Sequence, residues 1–221
     1  MIRYILHTLP SAVYFSFQGP LVVWLSATFA GTQSVAEVGA LGRLGMIFGL
    51  FSGLIPVIII PRLAAVVDEG LYRRRYAQYG LAMMLGTMGM LAAVAKLPGL
   101  FLALLGPNYA GLDYELLLVV GTAGLGLLGG YAVAINQARG WVRWQPAALA
   151  AYAGIQVWLI LSLDVSTTQG VLSFGFWSAC VGFGLQSSVA FAGFWRPHWV
   201  AIANGGLLAG VCQPRAEQDI V

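Results

Sequence analysis

Leu71-Tyr72-Arg73-Arg74-Arg75-Tyr76 is the stretch whose reading decides the fold. Three adjacent arginines are too costly to sit in hydrocarbon, yet long apolar runs lie on either side of them. Further along the chain the gaps between apolar runs alternate in charge. Arg139 and Arg143 mark one basic gap, and Arg196 and Arg215 follow the last run. The gaps in between carry Glu37, then Asp113 and Glu115, then Asp164. This alternation is the positive-inside pattern of a chain that threads a membrane repeatedly.

Composition agrees. The 221 residues are 59% hydrophobic and only 9% charged, against about 25% charged in soluble domains. A chain this poor in charge would expose large apolar patches in water, so its solvent is lipid. The net charge of +3 does not indicate nucleic acid, because the arginines are scattered over separate gaps and form no continuous basic face. The 29 glycines suit membrane helices that pack closely. Cys180 and Cys212 are too few and too far apart for a disulfide framework or a metal site.

A crossing helix needs about 20 apolar residues. Six segments qualify, at about residues 9–30, 35–66, 78–95, 114–138, 146–163 and 171–194. The first runs on to about Phe29, too long for the apolar core of a cleaved signal peptide. The second contains Pro56 and Pro61. Splitting it would leave two pieces too short to cross, so one long kinked helix is expected. The longest polar gap runs from about Asp68 to Tyr79. The expected fold is therefore an all-α integral membrane protein. Residues 1–195 form a bundle of about six transmembrane helices, and residues 196–221 form a short cytoplasmic tail in which 200–211 can lie along the surface. With the Arg73–Arg75 gap in the cytoplasm, all of the 11 basic residues except Lys96 and Arg43 fall on that side. Both termini are then cytoplasmic. Trp24, Trp141, Trp144, Trp195 and Trp199 fall near the span ends, as in an aromatic belt.

Several residues stand out within this frame. Gly45, Gly49 and Gly53 form a stripe that suits close helix packing or sliding. Gly121, Gly124, Gly126, Gly129 and Gly130 crowd the fourth segment. Pro10, Pro20 and Pro56 interrupt spans, as structural kinks or gating bends do. Arg43 lies near the outer end of the second segment; it either faces a cavity or phosphate, or snorkels outward or pairs with Glu37. Asn136, Gln137 and Arg139 close the fourth segment, at a cavity mouth or among headgroups. Gln18 is polar in mid-span and is expected to face the bundle interior. Leu105-Gly106-Pro107-Asn108-Tyr109 reads as an exterior turn. His7 and His198 are isolated, no Walker A loop is present, and the acidic residues lie in loops. An enzyme is not expected, and neither is a cofactor or a metal.

Four runs occur in order: Ala36-Glu37-Val38-Gly39-Ala40-Leu41-Gly42-Arg43-Leu44, Ile60-Pro61-Arg62-Leu63-Ala64, Leu104-Leu105-Gly106-Pro107-Asn108-Tyr109-Ala110-Gly111-Leu112 and Asn136-Gln137-Ala138-Arg139-Gly140. This series, over about residues 1–195, resembles Wzx-like polysaccharide biosynthesis membrane proteins of the multidrug/oligosaccharidyl-lipid/polysaccharide exporter superfamily. The resemblance implies a flippase of the bacterial inner membrane that moves lipid-linked oligosaccharide by alternating access, without a cofactor. Such proteins carry twelve or more spans in two pseudo-symmetric halves, and this chain looks like the second half alone. A second six-helix half or a homodimer is then the expected partner, beside the saccharide substrate and membrane lipids. Arg43, Arg139, Asn136, Gln137 and Gln18 are the candidate substrate-binding residues. The competing readings are a truncated or half-size subunit that does not transport, and a drug exporter of the same superfamily.

Overall fold

The computed structural model describes residues 2–66, 68–139, 141 and 145–195. Arg143, Trp144, Arg196, His198, Trp199, Cys212, Arg215 and the tail expected at 196–221 lie outside the described residues.

The described chain is helical, with no strand. Helix α1 spans Ile2–Leu25 and continues through a π-helical turn at Ser26–Ala30 into α2, Gly31–Leu54. A second π turn, Ile55–Ile59, leads into the short α3, Ile60–Ala64. Pro56 stands in that second turn and has no N–H to give to the preceding ladder, which widens locally. The long kinked helix expected here is what forms.

The stretch Ser16–Ala64 is 49 residues of unbroken helical backbone. Drawn straight at 1.5 Å per residue it would reach about 75 Å, more than twice a bilayer's hydrocarbon core. It does not run straight. The Ser26 hydroxyl donates to that of Ser34 at 2.9 Å, whereas eight residues of straight helix would set them about 12 Å apart. The chain turns back at Gly31, whose φ of 86° suits glycine alone.

Helix α4 spans Glu69–Lys96. The Asp68 carboxylate accepts from the Leu71 N–H at 2.8 Å and caps it. Glu69 in its first turn and Lys96 in its last complement the helix dipole. The expectation of a polar gap from Asp68 to Tyr79 is corrected here. Arg73–Arg75 stand on the opening turns of α4, because the cap and the Glu69–Arg73 pair at 3.6 Å start the helix ahead of the apolar run.

A short α5, Pro98–Ala103, follows. The turn expected near Asn108 is a 3₁₀ turn, Pro107–Tyr109, flanked by Gly106 and Gly111 at positive φ. Helices α6 (Asp113–Ala138), α7 (Gln145–Ser162) and α8 (Thr168–Trp195) complete the described chain.

Contacts fix the direction of each rod. Gly45 meets Val119 and Ala123 while Phe48 meets Gly124, Gly121 meets Phe176 and Gly129 meets Phe183, and Glu37 at the start of α2 bonds Thr168 at the start of α8, so α2, α6 and α8 run in one sense. Gly80 meets Tyr131 and Leu91 meets Gly121, so α4 runs against α6. Tyr152 lies on Gly182 while Leu159 packs with Val171 and Phe174, so α7 runs against α8. Val22 lies at Gly175 and Leu25 in the cluster with Val171, so α1 also runs against α8.

This arrangement gathers Arg62, Arg73–Arg75 and Arg139 at one end of the bundle, with Asp68 and Glu69 among them. The opposite end holds Glu37, Asp113, Glu115 and Asp164, with Lys96 among them. There the Thr168 hydroxyl donates to Glu37 at 2.6 Å, which ties the start of α8 to the start of α2.

The core lies around α6, whose Leu116, Val120 and Ile135 are fully buried against α2, α4 and α8. Among the described residues four stretches are long and apolar enough to cross a membrane: Ser16–Ala64, Glu69–Lys96, Asp113–Ala138 and Gln145–Ser162. Helix α8 is also 28 residues long, with Gln169, Gln186, Ser187 and Ser188 interrupting its apolar run. Exposed Leu50, Val57, Leu85 and Trp158 give the bundle the apolar exterior that lipid calls for.

Candidate functional site

Helices α1, α6, α7 and α8 line an open-sided cavity of about 530 Å³. Its space comes from glycine. Gly126 and Gly130 on α6 are four residues apart and share a helix face, and nothing lies within 4 Å of where a Cβ would stand on either. Gly175 and Gly182 line the cavity from α8, where a Cβ would be in ordinary contact with Thr122 at 3.9 Å and with Tyr152 at 3.5 Å.

The polar lining is neutral. Gln18 comes from α1, Thr122 and Gln137 from α6, Tyr152 and Gln156 from α7, and Ser178 and Gln186 from α8. Among the described residues no Asp, Glu, Lys, Arg or His lines the cavity. The Gln18 amide donates to the Tyr152 hydroxyl, and the Tyr14 hydroxyl donates to the Gln156 carbonyl. Tyr14 and Tyr152 meet edge to face at 5.7 Å. The Thr122 hydroxyl is occupied by its own helix, donating to the Leu118 carbonyl at 2.7 Å. Asn136 stands behind the wall, fully buried. Its amide donates to the Gln186 backbone carbonyl at 3.0 Å and to Gln186 Oε1 at 3.3 Å.

Not every buried polar atom here is satisfied within the protein. Ser178 Oγ, Asn136 Oδ1 and both amide atoms of Gln145 are buried without a hydrogen-bond partner. Each such group costs about 1–3 kcal/mol. A neutral cavity with an unspent hydroxyl in its lining and unspent amide atoms behind it is suited to an uncharged, hydroxyl-rich or amide-bearing solute.

The basic end lies just beyond Gln137. Arg139 caps α6, and its guanidinium carbon sits 3.5 Å from the centre of the buried Tyr72 ring. Arg139 Nε is buried without a partner. Arg73 donates to the Phe194 carbonyl at 2.8 Å and lies over the Phe194 ring. Tyr76, Tyr131, Phe194 and Trp141 continue this cluster as close ring pairs.

Of the sequence candidates, Gln18 and Gln137 line the cavity, and Asn136 supports it through Gln186. Arg139 stands at its basic end, outside the lining. Arg43 is set apart. It is exposed on α2 and lines a separate groove with Leu104, Leu105 and Tyr109. Glu37 accepts instead from Gln33 and Thr168, so the ion pair considered for Arg43 does not form. Among the described residues no group of three His, Cys, Asp or Glu side chains is placed to hold a metal.

The stripe expected to pack does so only in part. Gly45 packs on Ala123, where a Cβ would already be in contact at 3.4 Å, whereas Gly49 and Gly53 face open space.

Tyr152, Gln156, Ser178 and Gln186 were not singled out from the sequence. The glutamines carried the same signal as Gln18: an amide in an apolar run has to face protein or water. Compared with known proteins, the chain matches no family model, no curated protein and no solved structure.

Proposed function

We propose that this chain is one half of a membrane translocator for a lipid-linked saccharide. The observation that carries the reading is the neutral, glutamine-lined cavity set inside an apolar helical bundle. Polar amides facing hydrocarbon are costly, so they are kept where they meet a polar cargo. The glycan occupies the cavity and hydrogen-bonds to Gln18, Gln137, Gln156 and Gln186. The carrier's diphosphate lies toward Arg139, whose planar fork suits phosphate oxygens. Arg43 meets the carrier phosphate at the opposite end.

In this reading the chain crosses the bacterial inner membrane six times. The arginine-rich end and both termini are cytoplasmic, as the gathering of Arg62, Arg73–Arg75 and Arg139 at one end supports. A second six-helix half, or a second copy of this chain, supplies the facing wall. The two halves rock about the cargo in alternating access.

The test is reconstitution into vesicles and the rate at which a fluorescent polyprenyl-diphosphate disaccharide changes leaflet. The expected result is a protein-dependent rate that falls about tenfold or more in Gln18→Leu and Gln156→Leu, since each loses a hydrogen bond to the moving cargo. A rate equal to that of empty vesicles overturns the reading. Orientation is tested separately with Arg74→Cys and Glu115→Cys in a chain whose own cysteines are serine. A membrane-impermeant thiol reagent added outside cells labels position 115 and spares position 74. The reverse pattern overturns the assigned topology.

A further inference from the structure

Gln145 opens α7 and is 2% exposed. Neither its Oε1 nor its Nε2 has a hydrogen-bond partner. The side chain borders a small annex of about 10 Å³, close to the least space that holds one water-sized group. Tyr152, Gly182 and Gln186 line both this annex and the main cavity. Asn136 holds Gln186 from behind at 3.0 and 3.3 Å. The annex is thus a polar recess off the cavity, with an unspent amide at its end.

The chemistry of that amide narrows its ligand. A primary amide is planar and sets an acceptor and a donor side by side. Two hydroxyls on neighbouring ring carbons set a donor and an acceptor side by side as well, and they match it. An anion would meet Oε1, and a cation would meet the Nε2 hydrogens. Among the described residues no charged side chain lines the annex to offset either.

We propose that Gln145 determines specificity by engaging a vicinal hydroxyl pair of a neutral sugar seated in the main cavity, one hydroxyl entering the annex and its neighbour staying in the cavity beside Gln186. The inference rests on the saccharide reading of that cavity. Gln145 is retained although its burial destabilises the empty protein, because the cargo completes its hydrogen bonds. Substrates with an unsubstituted ring edge are favoured over those whose neighbouring hydroxyls are missing or acylated.

The probe is octyl β-glucoside, a neutral sugar on an alkyl chain with no phosphate. It is titrated into the full chain in an oxyethylene-ether detergent, which has no hydroxyl pairs, and compared with its 3-deoxy counterpart, which also has none. The wild type is expected to bind octyl glucoside saturably and about tenfold more tightly than the 3-deoxy compound, the worth of the paired hydrogen bonds. Gln145→Leu is expected to unfold at a higher temperature when empty and to lose the discrimination. Gln145→Met serves the same purpose if the leucine variant does not fold.

Equal affinity of the wild type for the two glucosides overturns the proposal. So does a Gln145 variant that unfolds earlier and keeps full discrimination, which marks the residue as a structural amide. If Gln18→Leu abolishes binding while Gln145→Leu still discriminates, the annex role falls and the saccharide cavity stands. No saturable binding of octyl glucoside to the wild type overturns both.

Discussion

The two ends of helix α6 put the same residue type to opposite uses. Toward its start, Gly121 and Gly124 let neighbours press onto the backbone, and a Cβ at Gly121 would stand 2.8 Å from the Phe176 ring. Toward its end, Gly126 and Gly130 leave room that no neighbour fills, and the cavity occupies it. The first pair holds α4, α6 and α8 together. The second pair leaves a trough between α6 and α1. Glycine content on a membrane helix therefore marks closeness of something, and only the arrangement of neighbours decides whether that is another helix or a cargo.

The largest effect is expected where this contrast is sharpest. Gly124→Val would drive its side chain into Thr87, which is buried against it. Overpacking of this kind typically costs about 1–3 kcal/mol, and here a cost of about 3 kcal/mol is expected because Thr87 and Phe48, the neighbours it would meet, are both buried. Denaturant unfolding in mixed micelles measures it. A loss well under about 1 kcal/mol would mean that the α4–α6 contact is loose, and the contrast with Gly126 would collapse.

Next comes the basic end, where both regions of α6 finish. Arg139→Met removes the guanidinium stacked on Tyr72 at 3.5 Å. A desolvated cation–π contact of this kind is worth about 2 kcal/mol, and Arg139→Lys should recover less than half of it because the planar stack is lost. A full recovery by lysine would show that charge alone, and not stacking, matters there.

A smaller effect of opposite sign is expected on the open side. Gly126→Ala raises helix propensity by about 1 kcal/mol and meets nothing within 4 Å. Stability should rise while leaflet exchange of the labelled disaccharide slows, since the methyl group enters the cavity. A variant that is both more stable and as fast as the wild type would separate Gly126 from the transport path.

How far these regions could be read from the sequence differs in the same way. The segments 114–138 and 146–163 and the turn at Asn108 were legible because apolar runs and Gly-Pro-Asn chemistry are local. The arginine triplet was legible as a boundary but not as helix, since the Asp68 cap and the Glu69–Arg73 pair act against its polar character. Gln18 and Gln137 were legible as polar residues in or at the end of apolar runs. That Gln156 and Gln186 join them depends on which helices run side by side, α1 along α7 and α6 along α8, and no local pattern carries that. Arg43 illustrates the converse. An arginine beside an apolar run looked like a cavity residue, but the groove at Leu104 and Tyr109 is elsewhere.

The smallest effect separates the neutral cavity from the charged ends by pH. Among the cavity's described lining residues there is no carboxylate or imidazole, so binding of octyl glucoside should be flat between about pH 5 and about pH 8, the range in which histidine would titrate. The acidic end behaves differently. The Asp164 carboxylate accepts from the Ser166 hydroxyl at 2.6 Å and from its N–H at 3.1 Å. These bonds favour the ionised form and hold its pKa below the usual aspartate value, with Ser166's side chain the larger cause. A lowered pKa in the folded state means that the folded state binds its proton less readily than the unfolded chain does. The stabilisation is therefore present above the ordinary aspartate pKa and lost as pH falls through the lower, folded value. Asp164 is fully exposed, so the acid-side loss is slight, and Asp164→Asn should remove it without changing the binding plateau. If the same substitution shifts glucoside binding at neutral pH, the acidic end and the cavity are coupled and the two regions of the molecule are not independent.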